Sequence, residues 1–131
     1  MRTKIITIFL ALVTSVGMIH AININGINYH LHEYNHTAEV ISGGNYVGKI
    51  MIPGTITFNN TTYRVTRIGD YAFEGCKKVT SIYLPKYLES VGEGAFNDCP
   101  GTLYYHTNCS YQPKPTTLWG YGGMITNYYD D

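Results

Sequence analysis

Charge is the first thing this chain has little of. Nine Lys and Arg residues stand against nine Asp and Glu in 131 residues, so there is no basic field to neutralise phosphates. Nucleic acid is therefore not an expected partner. Cysteine is also scarce. Cys76, Cys99 and Cys109 are an odd set, which excludes a disulfide framework that takes in all of them. Long apolar runs are missing as well: the longest candidate, Ile5 to Val13, falls well short of the roughly 20 residues a spanning helix needs. Chemical signatures are equally thin. No Gly-rich phosphate loop precedes a helix, no Ser sits in a G-x-S-x-G elbow, and the carboxylates are scattered singly. No enzymatic activity, cofactor or metal is expected.

Two features stand out among what is present. The chain opens with Arg2 and Lys4, then the apolar run Ile5 to Val13, then a more polar stretch of small residues, Thr14 to Ala21. This is the order of a secretory signal peptide, with cleavage expected after Ala21 and no membrane span afterwards. Export to the cell surface or medium is thus expected. The second feature is tyrosine, of which there are 13. A Tyr ring packs while its hydroxyl stays hydrated, which suits a half-wet β surface.

The chain also repeats itself. Ile68-Gly-Asp-Tyr-Ala-Phe-Glu-Gly-Cys76 aligns without gaps on Val91-Gly-Glu-Gly-Ala-Phe-Asn-Asp-Cys99, at a spacing of 23 residues. That period lies within the leucine-rich-repeat range of about 20–29 residues. Between the blocks, Ile82 and Leu84 alternate with Ser81 and Tyr83, the period of a strand with one buried face. Pro85 ends that strand, since it has no N–H to donate. Upstream, Ile50, Ile52 and Pro53 match Ile82, Leu84 and Pro85 at an offset of 32. The extra nine residues are placed in Thr57 to Thr66, read as a hairpin turning near Asn59-Asn60.

The combination I-x-I-P … V-x-x-I-G-x-x-A-F-x-x-C resembles the BspA-like leucine-rich repeats of surface and secreted bacterial proteins, over roughly Ile22 to Cys99. The resemblance implies a mainly β fold: a short leucine-rich-repeat solenoid with an N-terminal β-hairpin cap and little helix. The expected organisation is a signal peptide at 1–21, the hairpin cap at 22–48, repeats at 49–106 and an irregular Tyr/Gly/Pro-rich tail at 107–131. Ile82 and Leu84 would face the interior, Val91 would close the second edge, and Ala95 and Phe96 would fill the core. Gly92 would permit a sharp bend. Cys76 and Cys99 would be small buried hydrophobes, leaving Cys109 as the thiol to test for reactivity or intermolecular pairing.

One stretch invites a different reading. His32-Glu-Tyr-Asn-His36 satisfies H-E-x-x-H, which in zinc hydrolases places two imidazoles one helical turn apart. Here Tyr29, Leu31, Ala38 and Val40 alternate with polar neighbours, which predicts strand, turn, strand. No third ligand is evident, so a zinc hydrolase is a remote alternative.

The leading expectation is a binding module acting through the outward strand face. Its candidate residues are Met51, Tyr83, Tyr87 and Tyr104, with Tyr63 as a possible extension. The resemblance implies adhesion, with a protein partner such as a host matrix protein. The alternative is a structural or capping subunit that self-associates or assembles with other repeats, since the array is short.

Overall fold

The computed structural model describes residues 21–118 and 120–128. The expected signal peptide falls on residues 1–21, and 1–20 lie outside the described residues. The fold is mainly β, and among the described residues helix is limited to one 3-10 turn at Pro115–Thr117.

The first three strands form an antiparallel meander: β1 (Ala21–Ile24), β2 (Ile27–His32) and β3 (Thr37–Ile41). Asn25-Gly26 makes the first turn with both residues at positive φ, the requirement of a tight two-residue hairpin. β2 alternates strictly, with Ile27, Tyr29 and Leu31 buried.

After β4 (Gly48–Met51) comes the hairpin placed by the sequence: β5 (Thr55–Phe58) pairs antiparallel with β6 (Thr61–Ile68). Asn59 and Asn60 turn it at φ 50° and 63°. Asn tolerates this left-handed region better than other residues with a Cβ. β6 then runs parallel to β3 on one edge and to the two-residue β8 (Ser90–Val91) on the other. Val40, Ile68 and Val91 are thereby in register across three strands.

The second sheet is all parallel, in the order β10 (Ile125–Tyr128), β9 (Thr102–His106), β7 (Val79–Tyr83), β4. Its register aligns Ile50, Ile82, Leu103 and Ile125 on the inner side. β10 falls inside the stretch expected to be an irregular tail. Its pairing with β9 supplies the backbone partners that the Gly- and Pro-rich segment before it does not make in a ladder.

Between the sheets the Gly-x-x-Ala-Phe segments make turns that hydrogen-bond to each other. The N–H groups of Tyr71, Phe73 and Gly75 donate to the carbonyls of Glu93, Ala95 and Asn97 at 2.8 Å. An interior row of rings follows: Tyr46 against Phe73 (4.5 Å between centroids), Phe73 on Phe96 (5.6 Å), Phe96 against Tyr121 (6.0 Å). Fully burying one such side chain stabilises by about 1.5–3 kcal/mol.

Gly92 corrects an expectation. Its φ is not in the left-handed region, so it is not there for a bend. A Cβ at Gly92 would collide with the backbone of Asp70 and Gly69, so the residue is small because the neighbouring repeat passes against it. The left-handed position is two residues on, at Gly94 (φ 62°), where the preceding repeat has Tyr71 (φ 55°).

Candidate functional site

In a strand whose inner residues are buried, alternate side chains must face out. In the parallel sheet, Met51 pairs with Tyr83 and Tyr83 with Tyr104, so three of the four candidate residues form one row across β4, β7 and β9. Met51 is 57% exposed. Tyr83 and Tyr104 stack face to face, centroids 4.4 Å apart and planes 5° from parallel. Tyr128 of β10 meets both edge-on, at 5.3 and 6.4 Å. Lys49 caps the row with its Nζ 5.0 Å from the Tyr83 centroid. Each such aromatic contact contributes about 0.5–1.5 kcal/mol beyond area.

Because the ring faces are used against one another, the row presents mainly ring edges and phenol hydroxyls. Such a surface offers donors, acceptors and apolar contact together, on side chains that are already ordered.

Tyr87 lies off the strands, at the mouth of a groove of about 560 Å³ beside the row. The Arg64 guanidinium is 4.6 Å and the Lys86 ammonium 5.7 Å from its ring centroid. Glu89, His106 and Tyr128 also line the groove, and the Tyr128 hydroxyl and His106 Nε2 are hydrogen-bonded at 2.7 Å. Tyr128 thus joins the row to the groove. Tyr128, His106, Lys49, Arg64 and Lys86 were not singled out by sequence reasoning. The only signal was the β9–β10 spacing of 22 residues between His106 and Tyr128, hidden by the absence of a third matching motif.

Tyr63 is not part of this face. It is buried, on the inner side of β6, with its ring 5.9 Å from that of His36. Phe58 and Thr61 end the strand pairing nearby, and the alternation of β6 turns Tyr63 inward and Arg64 outward.

The H-E-x-x-H stretch is strand, turn, strand, as its flanks predict: His32 ends β2, and residues 33–36 make the turn with His36 at φ 56°. Its two imidazoles have separate neighbours. His32 Nε2 is 3.5 Å from Glu39, while His36 packs on Tyr63. Among the described residues no group of three or more His, Cys, Asp or Glu is placed to hold a metal ion.

Beside His32, an outward polar row continues across the same sheet. Arg67 sits 3.8 Å from Glu39 and donates to Ser90 Oγ and Asp70 Oδ1, both at 3.1 Å. Asp70 Oδ1 also accepts the Glu93 N–H at 2.8 Å. These charges are used internally.

All three thiols are free. Burial pushes the Cys76 and Cys99 thiols up, the neighbouring sulfur adding to it at Cys76, so both are held protonated near neutrality. Cys109, the thiol to test for reactivity or intermolecular pairing, is not an accessible group. It is buried, and its Sγ donates to the Leu88 carbonyl at 3.1 Å, because its segment packs beneath the Pro85–Leu88 turn.

The repeat geometry defines a class: residues 53–112 match the profile of the BspA type leucine rich repeat region (6 copies). These residues therefore carry BspA-type leucine-rich repeats. Solved structures agree. It is similar to a leucine rich cell surface protein from Faecalibacterium prausnitzii, at 26% identity and TM-score 0.61 over 71% of this chain and 26% of that one. A leucine-rich repeat protein from Bacteroides ovatus matches at 30% identity and TM-score 0.61, over 70% of this chain and 24% of that one. A leucine-rich repeat protein from Bacteroides capillosus shares the fold at 17% identity and TM-score 0.59, over 80% of this chain and 97% of that one. The chain spans about a quarter of the length of the first two. No curated protein matches the sequence. Among the described residues no helix is long and apolar enough to cross a membrane.

Proposed function

We propose that this chain is an exported, non-enzymatic binding module, a short leucine-rich-repeat solenoid entered through an N-terminal hairpin cap, that mediates protein–protein contact or adhesion at the cell surface. The observation that carries this reading is the pre-ordered row Met51, Tyr83, Tyr104 on the outer side of the parallel sheet. Repeat folds commonly bind through such extended faces. Ordered Tyr side chains supply contact area at low entropic cost. The likeness to a leucine rich cell surface protein supports the surface location. The Arg2, Lys4 and Ile5–Val13 leader supports export. The test is Met51→Ser with Tyr83→Ser in an adhesion assay on immobilised matrix proteins. Lost adhesion with an unchanged circular dichroism spectrum is expected. Full adhesion by the folded variant would remove this face from the function.

A second reading is a structural or capping subunit that stacks on other repeats. Among the described residues the outer strands of the parallel sheet, β4 and β10, each have a single neighbour, which leaves backbone groups able to accept another strand. Light scattering across a concentration series tests it, and a monomer throughout disfavours it.

A further inference from the structure

We infer that the groove beside the tyrosine row takes an acidic segment of a protein partner, its carboxylates meeting Arg64 and Lys86. The inference rests on the binding-face reading and adds the chemistry of the partner. Beyond residue 21 the chain is slightly acidic, since removing Arg2 and Lys4 leaves seven basic residues against nine acidic. The surroundings of the tyrosine row run against that balance. Lys49, Arg64 and Lys86 surround the aromatic row and groove, and among the described residues Glu89 is the one acidic residue lining the groove.

These cations are also uncommitted. Among the described residues, ion pairs involve Arg67 and His32 with Glu39 and Asp70, and none involves Arg64, Lys86 or Lys49. Arg64 and Lys86 instead lie over the Tyr87 ring, which orders a cation while leaving its N–H groups free to donate. A guanidinium so placed receives a carboxylate with two parallel hydrogen bonds. The row itself selects a peptide over a sugar. Sugars stack on open aromatic faces, and here Tyr83 and Tyr104 cover each other while Tyr128 abuts both. What remains exposed is edges and hydroxyls beside the apolar Met51, which suits an extended chain of mixed polarity.

The probe is a fluorescein-labelled random copolymer of glutamate and tyrosine, read by fluorescence polarisation with the purified chain, with heparin in a parallel arm. Saturable copolymer binding is expected, weakened as salt rises. Arg64→Gln with Lys86→Gln should bind about tenfold more weakly, with unchanged thermal unfolding. Glu89→Gln should bind more tightly, a gain that misfolding does not produce. No copolymer binding, or binding indifferent to all three substitutions, overturns the inference. So does heparin binding without copolymer binding, which would make this a sulfated-glycan site. Either overturning result, found while Met51→Ser with Tyr83→Ser still abolishes adhesion, leaves the binding-face reading standing.

Discussion

Phe73 and Phe96, 23 residues apart in sequence, lie ring on ring with centroids 5.6 Å apart and planes 7° from parallel. Each is almost fully buried, and each begins a turn whose later N–H, of Cys76 or Cys99, returns to its carbonyl at 3.2 Å. One sequence unit has thus been laid on the next, and the interior ring row is the physical expression of the period.

That row sets a first prediction. Phe96 touches rings on both sides, Phe73 and Tyr121, so the space it leaves cannot close easily. Phe96→Ala should lower unfolding free energy by about 3–5 kcal/mol in urea titration. Tyr104→Ala, on the outer side, should lower it by about 1–2 kcal/mol, the loss of its contacts with Tyr83 and Tyr128. Similar losses at both positions would mean that inside and outside have been misassigned.

Two glycines separate backbone strain from contact. Gly75 and Gly94 both have positive φ, at 71° and 62°. A Cβ at Gly75 meets nothing, whereas at Gly94 it would run into the Tyr71 ring. Gly75→Ala should therefore destabilise by roughly 1 kcal/mol, the dihedral effect alone. Gly94→Ala should destabilise more, and adding Tyr71→Ala should recover the excess but not the dihedral part. Equal effects of the two single substitutions would contradict the contact.

Alkaline pH offers a third test. Tyr121 is pushed up to about 12, chiefly by burial, with a backbone hydrogen bond from Leu103 opposing. Its hydroxyl lies 2.6 Å from the Gly101 carbonyl and 2.7 Å from that of Met124, which favours the protonated form. The folded value lies above the ordinary value near 10. The contribution to stability is therefore complete below about pH 10 and is lost as pH rises from there to about 12. Burial raises Tyr29 and Tyr46 in the same direction, so chemical denaturation between these limits should show stability falling by more than Tyr121 alone accounts for, and Tyr121→Phe should remove its own share, about 2 kcal/mol. An unchanged slope in Tyr121→Phe would assign it to other groups.

The thiols give a fourth. Cys99 and Cys109 are buried, Cys76 is half-buried, and burial raises the thiols of Cys76 and Cys99. Native protein should react slowly with a thiol reagent at pH 7, Cys76 first, and all three should react at once in denaturant. Rapid native labelling of Cys109 would show that its segment does not pack beneath Leu88.

The repeat was legible where the motif recurs letter for letter. The β4 and β7 strands, the Asn59-Asn60 turn and the stacking of Phe73 on Phe96 follow from spacing and alternation alone. The outer row was legible for the same reason: residues between buried Ile and Leu must point out, which placed Met51, Tyr83 and Tyr104. What escaped had changed letters or length. The turn after Cys99 is two residues shorter than after Cys76, so Leu103 meets Ile82 at an offset of 21 and the period is lost. In the next unit Tyr121 packs on Phe96 in place of a third Phe, its hydroxyl satisfied by two carbonyls. The groove was invisible because Arg64, Lys86 and His106 come from three separate segments that only the fold brings together. Tyr63 was misplaced because position within a hairpin, not residue type, decides which face a side chain takes.

The central claim is that the aligned outer row is where a partner binds. Adhesion of Tyr83→Ser with Tyr104→Ser should be compared with Tyr34→Ser with Tyr71→Ser, which removes two exposed tyrosines elsewhere. On a panel of immobilised extracellular-matrix proteins, the first pair should lose adhesion and the second should keep it. Equal adhesion by the two folded variants, at any level, would contradict the claim.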